Sequence, residues 1–480
     1  MADTQTPPIE ADICVIGAGS GGLSVAAAAA AFGRSVVLLE KHKMGGDCLN
    51  YGCVPSKALI AAAKRAEAMR TAGPFGIMPA EPVIDWAAVN DHVRSVISAI
   101  EPNDSVARFT GLGVRVIQAA GRFVDRQTVA AADNVIRARR FVIATGSSPF
   151  VPPIPGLESV NYFTNETIFD NRARIDHLIV VGGGPIGIEM AQAHRHLGSR
   201  VTVIEAAGAM ANDDPEMTSL LLKRLRAEGI EIFEGARVSE VASAGGGVSL
   251  SVQVKDGTRG TISGSHLLIA AGRRPNIRDL NLEAAGIKYT DRGVVVDKGL
   301  VTTNWRVFAI GDAAGALQFT HVANYHAGIV IRRALFRLPV KASHDQVPWV
   351  TYTEPELAHI GLSEAEALKR KISIAVLRWT YHENDRAQAE RETEGHVKVV
   401  VDKRSGKILG ATILGHQAGE LIQMWSLALS QGMKIKAMTE WISPYPTLSE
   451  INKRAAYRFY ADKAASPLVR RIVGWLAKLG

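Results

Sequence analysis

Apolar residues in this chain run in short blocks that stop at glycine. Asp12-Ile-Cys-Val-Ile16 leads into Gly17-Ala-Gly-Ser-Gly-Gly22, and an alanine-rich stretch over 23–32 and a second apolar run over 36–40 follow. The same order returns later: 178–181, then Gly182-Gly-Gly-Pro-Ile-Gly187, a helical stretch through 197, and a run over 201–205. Each predicts a strand, a glycine turn, a helix and a second strand, which is a βαβ unit. Glu40 and Glu205 stand eighteen residues past Gly22 and Gly187, respectively. A single glycine motif is weak, but two in full βαβ context, each closed by an acid at a matched offset, are specific.

Between and after these units the pattern changes. Residues 56–109 read as mainly helical, 141–146 as a strand ending in Ala144-Thr-Gly146, and the proline-rich 149–155 as a linker. Residues 267–275 and 307–312 are apolar strands ending in Gly-Arg-Arg-Pro and Gly-Asp, with a helix after His321. From 347 the chain predicts strands at 397–401 and 408–414 and helices at 418–431 and 448–461, a third, α+β unit. The last segment places Leu468, Ile472, Trp475, Leu476 and Leu479 on one helical face, with Arg470, Arg471 and Lys478 largely outside it. Such a basic amphipathic helix packs within the protein's own dimer or lies on an anionic membrane.

The 480 residues suffice for about three domains. With 55 basic and 47 acidic side chains the formal net charge is +8. That excess suits anionic cofactors as well as nucleic acid, and no zinc-finger spacing or aromatic-studded basic stripe speaks for the latter; no nucleic-acid partner is expected. The first residues lack the basic start of a signal peptide, and no apolar run approaches the ~18 residues of a membrane span, so a cytoplasmic protein is expected.

The glycine turns carry the first chemistry. Their glycines allow the tight turn, close approach of a pyrophosphate and helix–strand packing, while the helix start offers N–H groups and partial positive charge. Glu40 and Glu205 would accept hydrogen bonds from ribose hydroxyls. A carboxylate at 205 also repels a 2′-phosphate, and Ala206-Ala-Gly-Ala-Met210 offers no arginine to receive one, which predicts NADH over NADPH.

The second candidate chemistry lies in Gly45-Gly-Asp-Cys-Leu-Asn-Tyr-Gly-Cys-Val-Pro-Ser-Lys57. Three cysteines are too few for a disulfide scaffold or an all-thiolate zinc site. Cys48 and Cys53 sit five apart, so their sulfurs meet only if the turn is distorted or a helix starts between them, as Gly52 and Pro55 favour. At such a start the helix dipole and Lys57 would both lower a thiolate pKa. A labile redox disulfide, a structural bridge and half of a metal site are the readings open to the pair; no second Cys/His pair supports metal. Cys14, inside the first strand, reads as a small core residue.

Taken together, these motifs resemble the FAD-dependent pyridine nucleotide–disulfide oxidoreductases, in the branch that holds dihydrolipoamide dehydrogenase and mercuric reductase. The resemblance spans 12–461 and rests on the first glycine unit with Glu40, Cys48-x4-Cys53-x3-Lys57, Ala144-Thr-Gly146, the second glycine unit with Glu189, Ala309-Ile-Gly-Asp312 and Pro446-Thr-Leu-Ser-Glu450. It implies an α/β fold with two Rossmann-like domains and a C-terminal α+β dimerisation domain. The expected boundaries are 1–150 and 276–346 for FAD, 151–275 for NAD, 347–463 for the interface and 464–480 for the tail. By similarity Gly17, Gly19, Gly22, Glu40, Lys57, Gly121, Thr145, Gly146 and Asp312 would hold FAD. Gly182, Gly184, Gly187, Glu205, Val238 and Gly272 would hold NADH. Cys53 would face the flavin, Cys48 would exchange with substrate, and Lys57 would pair with Glu189. No metal ligands are implied.

One position departs from the pattern. Dihydrolipoamide dehydrogenase and glutathione reductase carry a histidine five residues before the glutamate matching Glu450; here that position is Tyr445. A phenol with a pKa near ~10 is a feeble general base at neutral pH, whereas a histidine near ~6.5 is suited to it. Mercuric reductase also has tyrosine there but adds a C-terminal cysteine pair, which this chain lacks after Cys53. His321, His326, His382 and His416 are candidate replacement bases. The expected activity is electron transfer between NADH, FAD and Cys48–Cys53, to or from a small thiol or disulfide, in a homodimer. The alternatives are reduction of a thiophilic metal ion, Hg(II) foremost, and a low-turnover redox-sensing flavoprotein docked on the inner face of a membrane through 467–479.

Overall fold

The computed structural model describes residues 7–254, 257–315, 317–464 and 466–479, with backbone only at 462–464. By packing, the chain divides into two units: Met1–Ala206 with Ile230–His344, and Ala207–Gly229 with Asp345–Gly480.

The first unit contains both βαβ motifs. Strand Ile9–Ile16, helix Ser20–Ala31 and strand Val36–Leu39 form the first. Ile9–Ile16 pairs in parallel with Val36–Leu39 on one side and Asn134–Ile143 on the other. Val114–Ile117 and Val307–Ala309 extend the parallel ladder, and the antiparallel strands Thr128–Ala131 and Gly121–Asp125 complete a seven-stranded sheet. Parallel strands covered on both faces need continuous apolar runs rather than alternation, and Ile13 to Ile16 and Val36 to Leu39 are all buried.

The second motif builds a four-stranded parallel sheet in the order Glu231–Glu234, Arg200–Glu205, His177–Val181, His266–Ile269, with helix Pro185–His196 after the glycine turn. An antiparallel three-stranded sheet, Ala236–Ala244, Gly247–Val254 and Arg259–Gly264, is inserted before its last strand. The duplication goes further than the two glycine turns. Gly17 and Gly182 both have left-handed φ, +106° and +118°, and a Cβ on either would collide with the carbonyl of Ala144 or Ala270, each the start of an Ala-x-Gly strand end. Only glycine fits such a turn against a neighbouring strand.

The second unit is α+β. Its antiparallel sheet runs Trp349–Thr351, Glu356–Gly361, Ile408–Gly415, His396–Asp402, Ile374–Thr380. Helices Ala418–Ser430 and Glu450–Ala464 cover it, and the buried Trp425 donates its indole N–H to Asn452 Oδ1 at 2.8 Å in their shared core. Helix Pro215–Ala227, which lies between the second and third strands of the second motif in sequence, groups by packing with this unit.

Candidate active site

The thiol segment is anchored on the first glycine turn. Gly45 N–H donates to the Ala18 carbonyl at 3.0 Å, Gly19 and Gly45 form a parallel bridge, and a Cβ on Gly46 would stand 2.7 Å from Gly19 Cα. Cys48 lies in the short helix Gly46–Asn50, the chain breaks at Tyr51 and Gly52, and Cys53 is the first residue of helix Cys53–Arg70. A helix does start between the cysteines, and this brings the two sulfurs together despite their five-residue spacing.

Both are thiols here, hydrogen-bonded to one another, and Cys53 Sγ also lies 3.5 Å from Thr320 Oγ1. The Cys48 S–H donates to Cys53 and lowers its pKa to about 6; loss of hydration opposes this, and Thr320 and the Lys57 charge assist it. The same hydrogen bond, with burial and the Cys53 charge, pushes the Cys48 thiol far above the ordinary range. Acidity is therefore split across the pair, lowered at Cys53 and raised at Cys48. Lys57 Nζ lies 2.8 Å from Glu189 Oε2, and Glu189 is only 6% exposed as a side chain. Cys14 is buried in the sheet, where burial raises its thiol pKa.

A second network beside the thiols was not legible in the sequence. Asp47 Oδ2 lies 3.2 Å from Arg273 Nη2, and Asn165 donates to Asp47 Oδ1 at 3.1 Å and to the Tyr51 carbonyl at 3.2 Å. Arg273 Nε donates to Ser147 Oγ at 2.7 Å, and Ser147 in turn donates to Asp312 Oδ2 at 2.5 Å. Burial raises the Asp312 pKa, while Ser147 and Arg273 work against it. The available signal was two arginines in the strand end Gly272-Arg-Arg-Pro275; Thr320 gave none.

The remaining dinucleotide candidates fall into two groups. At the first turn, Glu40 Oε2 accepts from Ala18 N–H at 2.7 Å and Oε1 from His42 N–H at 2.8 Å. Thr145 Oγ1 donates to the Asn276 carbonyl at 2.7 Å, Gly146 follows in left-handed conformation, and Gly121 opens a strand whose Cβ position would crowd Leu39 Cδ1. At the second turn, Glu205 Oε2 accepts from Gly183 N–H at 2.7 Å. Gly272 has φ +114°, and Val238 sits where the Ala236–Ala244 strand shifts register.

Both turns fit a dinucleotide. A Cβ on Gly22 or Gly187 would strike the carbonyl of Gly17 or Gly182, so these glycines set helix against strand. By contrast, among the described residues a Cβ on Gly184 would meet nothing within 4 Å, and one on Gly19 would meet only Gly46 Cα at 3.9 Å. The open backbone faces therefore lie at the middle glycines, where a pyrophosphate must approach.

The proton-relay candidates, in the second unit, do not form the pair that their spacing suggests. Tyr445 is 70% exposed and donates its hydroxyl to Asp385 Oδ2 at 2.8 Å, which raises its pKa. Glu450 instead accepts from Arg454 at 2.8 Å. His416 pairs with Glu354 at 3.1 Å, which raises its pKa, and His382 interacts with Gln388. In the first unit, buried His326 accepts from Gly311 N–H at 3.1 Å, and its other ring nitrogen faces that of His344 at 2.8 Å; burial lowers its pKa to about 4. His326 therefore holds the turn that carries Asp312. His321 is exposed and stacks on Phe319.

Two dinucleotide turns and a pair of cysteines meeting at a helix start define a dinucleotide-dependent oxidoreductase with a dithiol centre. Comparison with known proteins gives the family. Residues 11–327 match the pyridine nucleotide-disulphide oxidoreductase description, and 347–456 match the dimerisation domain of the same family. The chain is 34% identical over 460 residues to mercuric reductase of Streptomyces lividans, covering 94% of this chain and 97% of that one. It is likewise 34% identical over 455 residues to dihydrolipoyl dehydrogenase of Geobacillus stearothermophilus, covering 93% and 96%. The Cu(II) complex of the HOCl-induced flavoprotein disulfide reductase RclA from Escherichia coli superposes with a TM-score of 0.83 at 26% identity, over 92% of this chain and 99% of that chain. The chain belongs to the class I pyridine nucleotide–disulfide oxidoreductases, which are FAD-dependent enzymes that use NAD(P).

Proposed function

We propose that this enzyme is a cytoplasmic homodimer that reduces a small disulfide at the expense of NADH. Residues 1–150 and 276–346 form the FAD domain, 151–275 the NAD domain and 347–463 the subunit interface. FAD would be held at the first turn by Gly17, Gly19, Gly22 and Glu40, with Asp312, and NADH at the second by Gly182, Gly184, Gly187 and Glu205. When bound, FAD supplies two-electron transfer between the nicotinamide and the cysteine sulfurs.

The observation that carries this reading is the placing of the thiols: Cys53 is the first residue of a helix, its Sγ lies 3.5 Å from Thr320 Oγ1, and Lys57, one turn on, is held by Glu189 at 2.8 Å. Cys48, once it has given up its proton, attacks one sulfur of R–S–S–R and expels the first RS⁻. The Cys53 thiolate then attacks the Cys48 sulfur, expels the second RS⁻ and closes the Cys48–Cys53 disulfide. The Cys48 proton and one from solvent leave on the two product thiols, so the turnover is NADH + H⁺ + RSSR → NAD⁺ + 2 RSH. Lys57, fixed by Glu189, keeps positive charge beside the Cys53 thiolate.

A second reading is favoured by one feature. Tyr445 is bonded to Asp385 and Glu450 to Arg454, so this chain has no histidine–glutamate pair at 445 and 450 to take a proton from an incoming dithiol. Reduction of a thiophilic metal ion, NADH + Hg²⁺ → NAD⁺ + H⁺ + Hg⁰, needs no such base, and a relative of this chain bears the name mercuric reductase.

NADH oxidation with oxidised lipoamide, compared with Hg(II) plus excess thiol, separates the two. Turnover with lipoamide that disappears in Cys48→Ser supports the first reading; turnover with Hg(II) alone replaces it with the second. A higher kcat/KM with NADPH than with NADH would overturn the assignment of Glu205.

A further inference from the structure

The helix Pro467–Leu476 is well formed: Ser466 caps it by accepting from Val469 N–H at 3.2 Å, and Pro467 occupies its first turn. None of its side chains is buried. Leu468, Val469, Ile472, Val473, Trp475, Leu476 and, just beyond, Leu479 are all exposed, Trp475 by 62%. At 3.6 residues per turn these seven occupy one arc of about 160°. Arg471 and Lys478 border one edge of the arc and Arg470 the other, and no acidic residue occurs from 463 to 479.

We propose that this helix docks the enzyme on an anionic lipid surface, lying in the headgroup plane. The arc is wider than the two-in-seven seam through which helices pair, so it suits a fluid apolar phase better than a second copy of itself. The flanking arginines and lysine can bury their aliphatic stems while their charges reach lipid phosphates, and an indole favours the same interface. Charge points to the same partner. A tail with only positive side chains, on a chain of net charge +8, meets like charge in another copy and opposite charge on an acidic bilayer. The ten-residue helix reaches only about 15 Å, half of a bilayer core of about 30 Å, so it lies on the membrane and does not cross it. The proposal is independent of which acceptor the thiols reduce.

The test is co-sedimentation of the holoenzyme with vesicles of phosphatidylglycerol and phosphatidylcholine, against vesicles of phosphatidylcholine alone. The expected result is binding to the anionic vesicles only, weakened by salt. Binding should fall at least about tenfold in the triple variant Arg470→Gln, Arg471→Gln, Lys478→Gln, and likewise in Ile472→Ser, Trp475→Ser. NADH-driven turnover in solution should be unchanged in both variants, which shows that they fold. Absence of binding to anionic vesicles, or binding that neither variant reduces, overturns the proposal. So does a shift of the wild-type dimer to monomer on deleting 466–480 without vesicle binding by the intact chain, which would make the helix a contact between copies.

Discussion

The guanidinium of Arg273 holds the carboxylate of Asp47 at 3.2 Å, one residue before Cys48. The two lie far apart in sequence and meet because the ribbon of Arg273–Pro275 with Ser147–Pro149 delivers Arg273 to the thiol segment. Asp47 adds negative charge that raises the pKa of both thiols, so its partner decides how strongly that charge is felt. Replacing Arg273 by Gln leaves Asp47 without this partner, and the Cys53 pKa should rise. NADH-driven turnover at neutral pH should fall by roughly three- to tenfold. The double variant Asp47→Asn, Arg273→Gln removes the charge as well and should restore the Cys53 pKa, read from thiolate ultraviolet absorbance against pH. A double variant as impaired as Arg273→Gln alone would assign Arg273 a role in packing only.

The thiolate itself can be titrated. With its pKa lowered to about 6, Cys53 is ionised above that pH and protonated below it. Alkylation of the reduced enzyme should therefore rise to half its maximum near pH 6 and be level at neutrality. The Cys48 hydrogen bond is the largest cause, so Cys48→Ala should move this midpoint up toward the ordinary thiol range near ~8.5. Lys57→Met should move it the same way by less, because the lysine acts only through its charge. A midpoint unchanged by Cys48→Ala would show that the sulfurs do not share a proton in solution.

What the sequence revealed follows from the range over which each feature is determined. The glycine turns are local: Gly17 and Gly182 are required by a single backbone conformation, so the repeat shows in a few residues. The thiol pair is also local, since Gly52 and Cys53 form the start of one helix. Arg273 against Asp47 and Thr320 against Cys53 are set by strand order and by the placing of separate helices, which no short window encodes. The same holds for Tyr445. Its spacing from Glu450 suggests a pair, but Asp385, sixty residues away, takes its hydroxyl.

Within the second unit, Lys398 is only 4% exposed and meets three carboxylates: Asp214 at 2.8 Å, Glu216 at 2.9 Å and Glu364 at 2.8 Å. Asp214 also caps the helix Pro215–Ala227 by accepting from Glu216 N–H, and Arg378 pairs with Glu216 at 2.7 Å. Lys398→Met leaves the buried Asp214 carboxylate without its ion-pair partner, while Glu216 and Glu364 keep Arg378, and should cost about 3–5 kcal/mol in urea unfolding. Glu216, held by Arg378 and then by Lys398, has its pKa well below the ordinary carboxylate range. A depressed folded-state pKa gives stability that is present above about 4.3, the unfolded value, and is lost as pH falls. The wild type should therefore weaken steeply on acidification and the variant less so. A loss under about 1 kcal/mol would mean that water reaches and screens the cluster.

Tyr445 offers the sharpest test of direction. Its hydroxyl donates to Asp385, whose charge raises the phenol pKa, so the group stays protonated through the physiological range and takes no proton from a dithiol. Histidine at this position would supply a group that titrates near ~6.5. Tyr445→His should speed oxidation of dihydrolipoamide by at least about tenfold and add a rising limb near ~6.5 to its pH profile. NADH-driven reduction of Hg(II) requires no base there and should stay within about twofold of the wild type. Faster dihydrolipoamide oxidation without the new pH limb would point to better substrate fit and not to proton transfer. An unchanged rate would mean that proton removal is not what limits this enzyme with dithiols, and that another group already performs it.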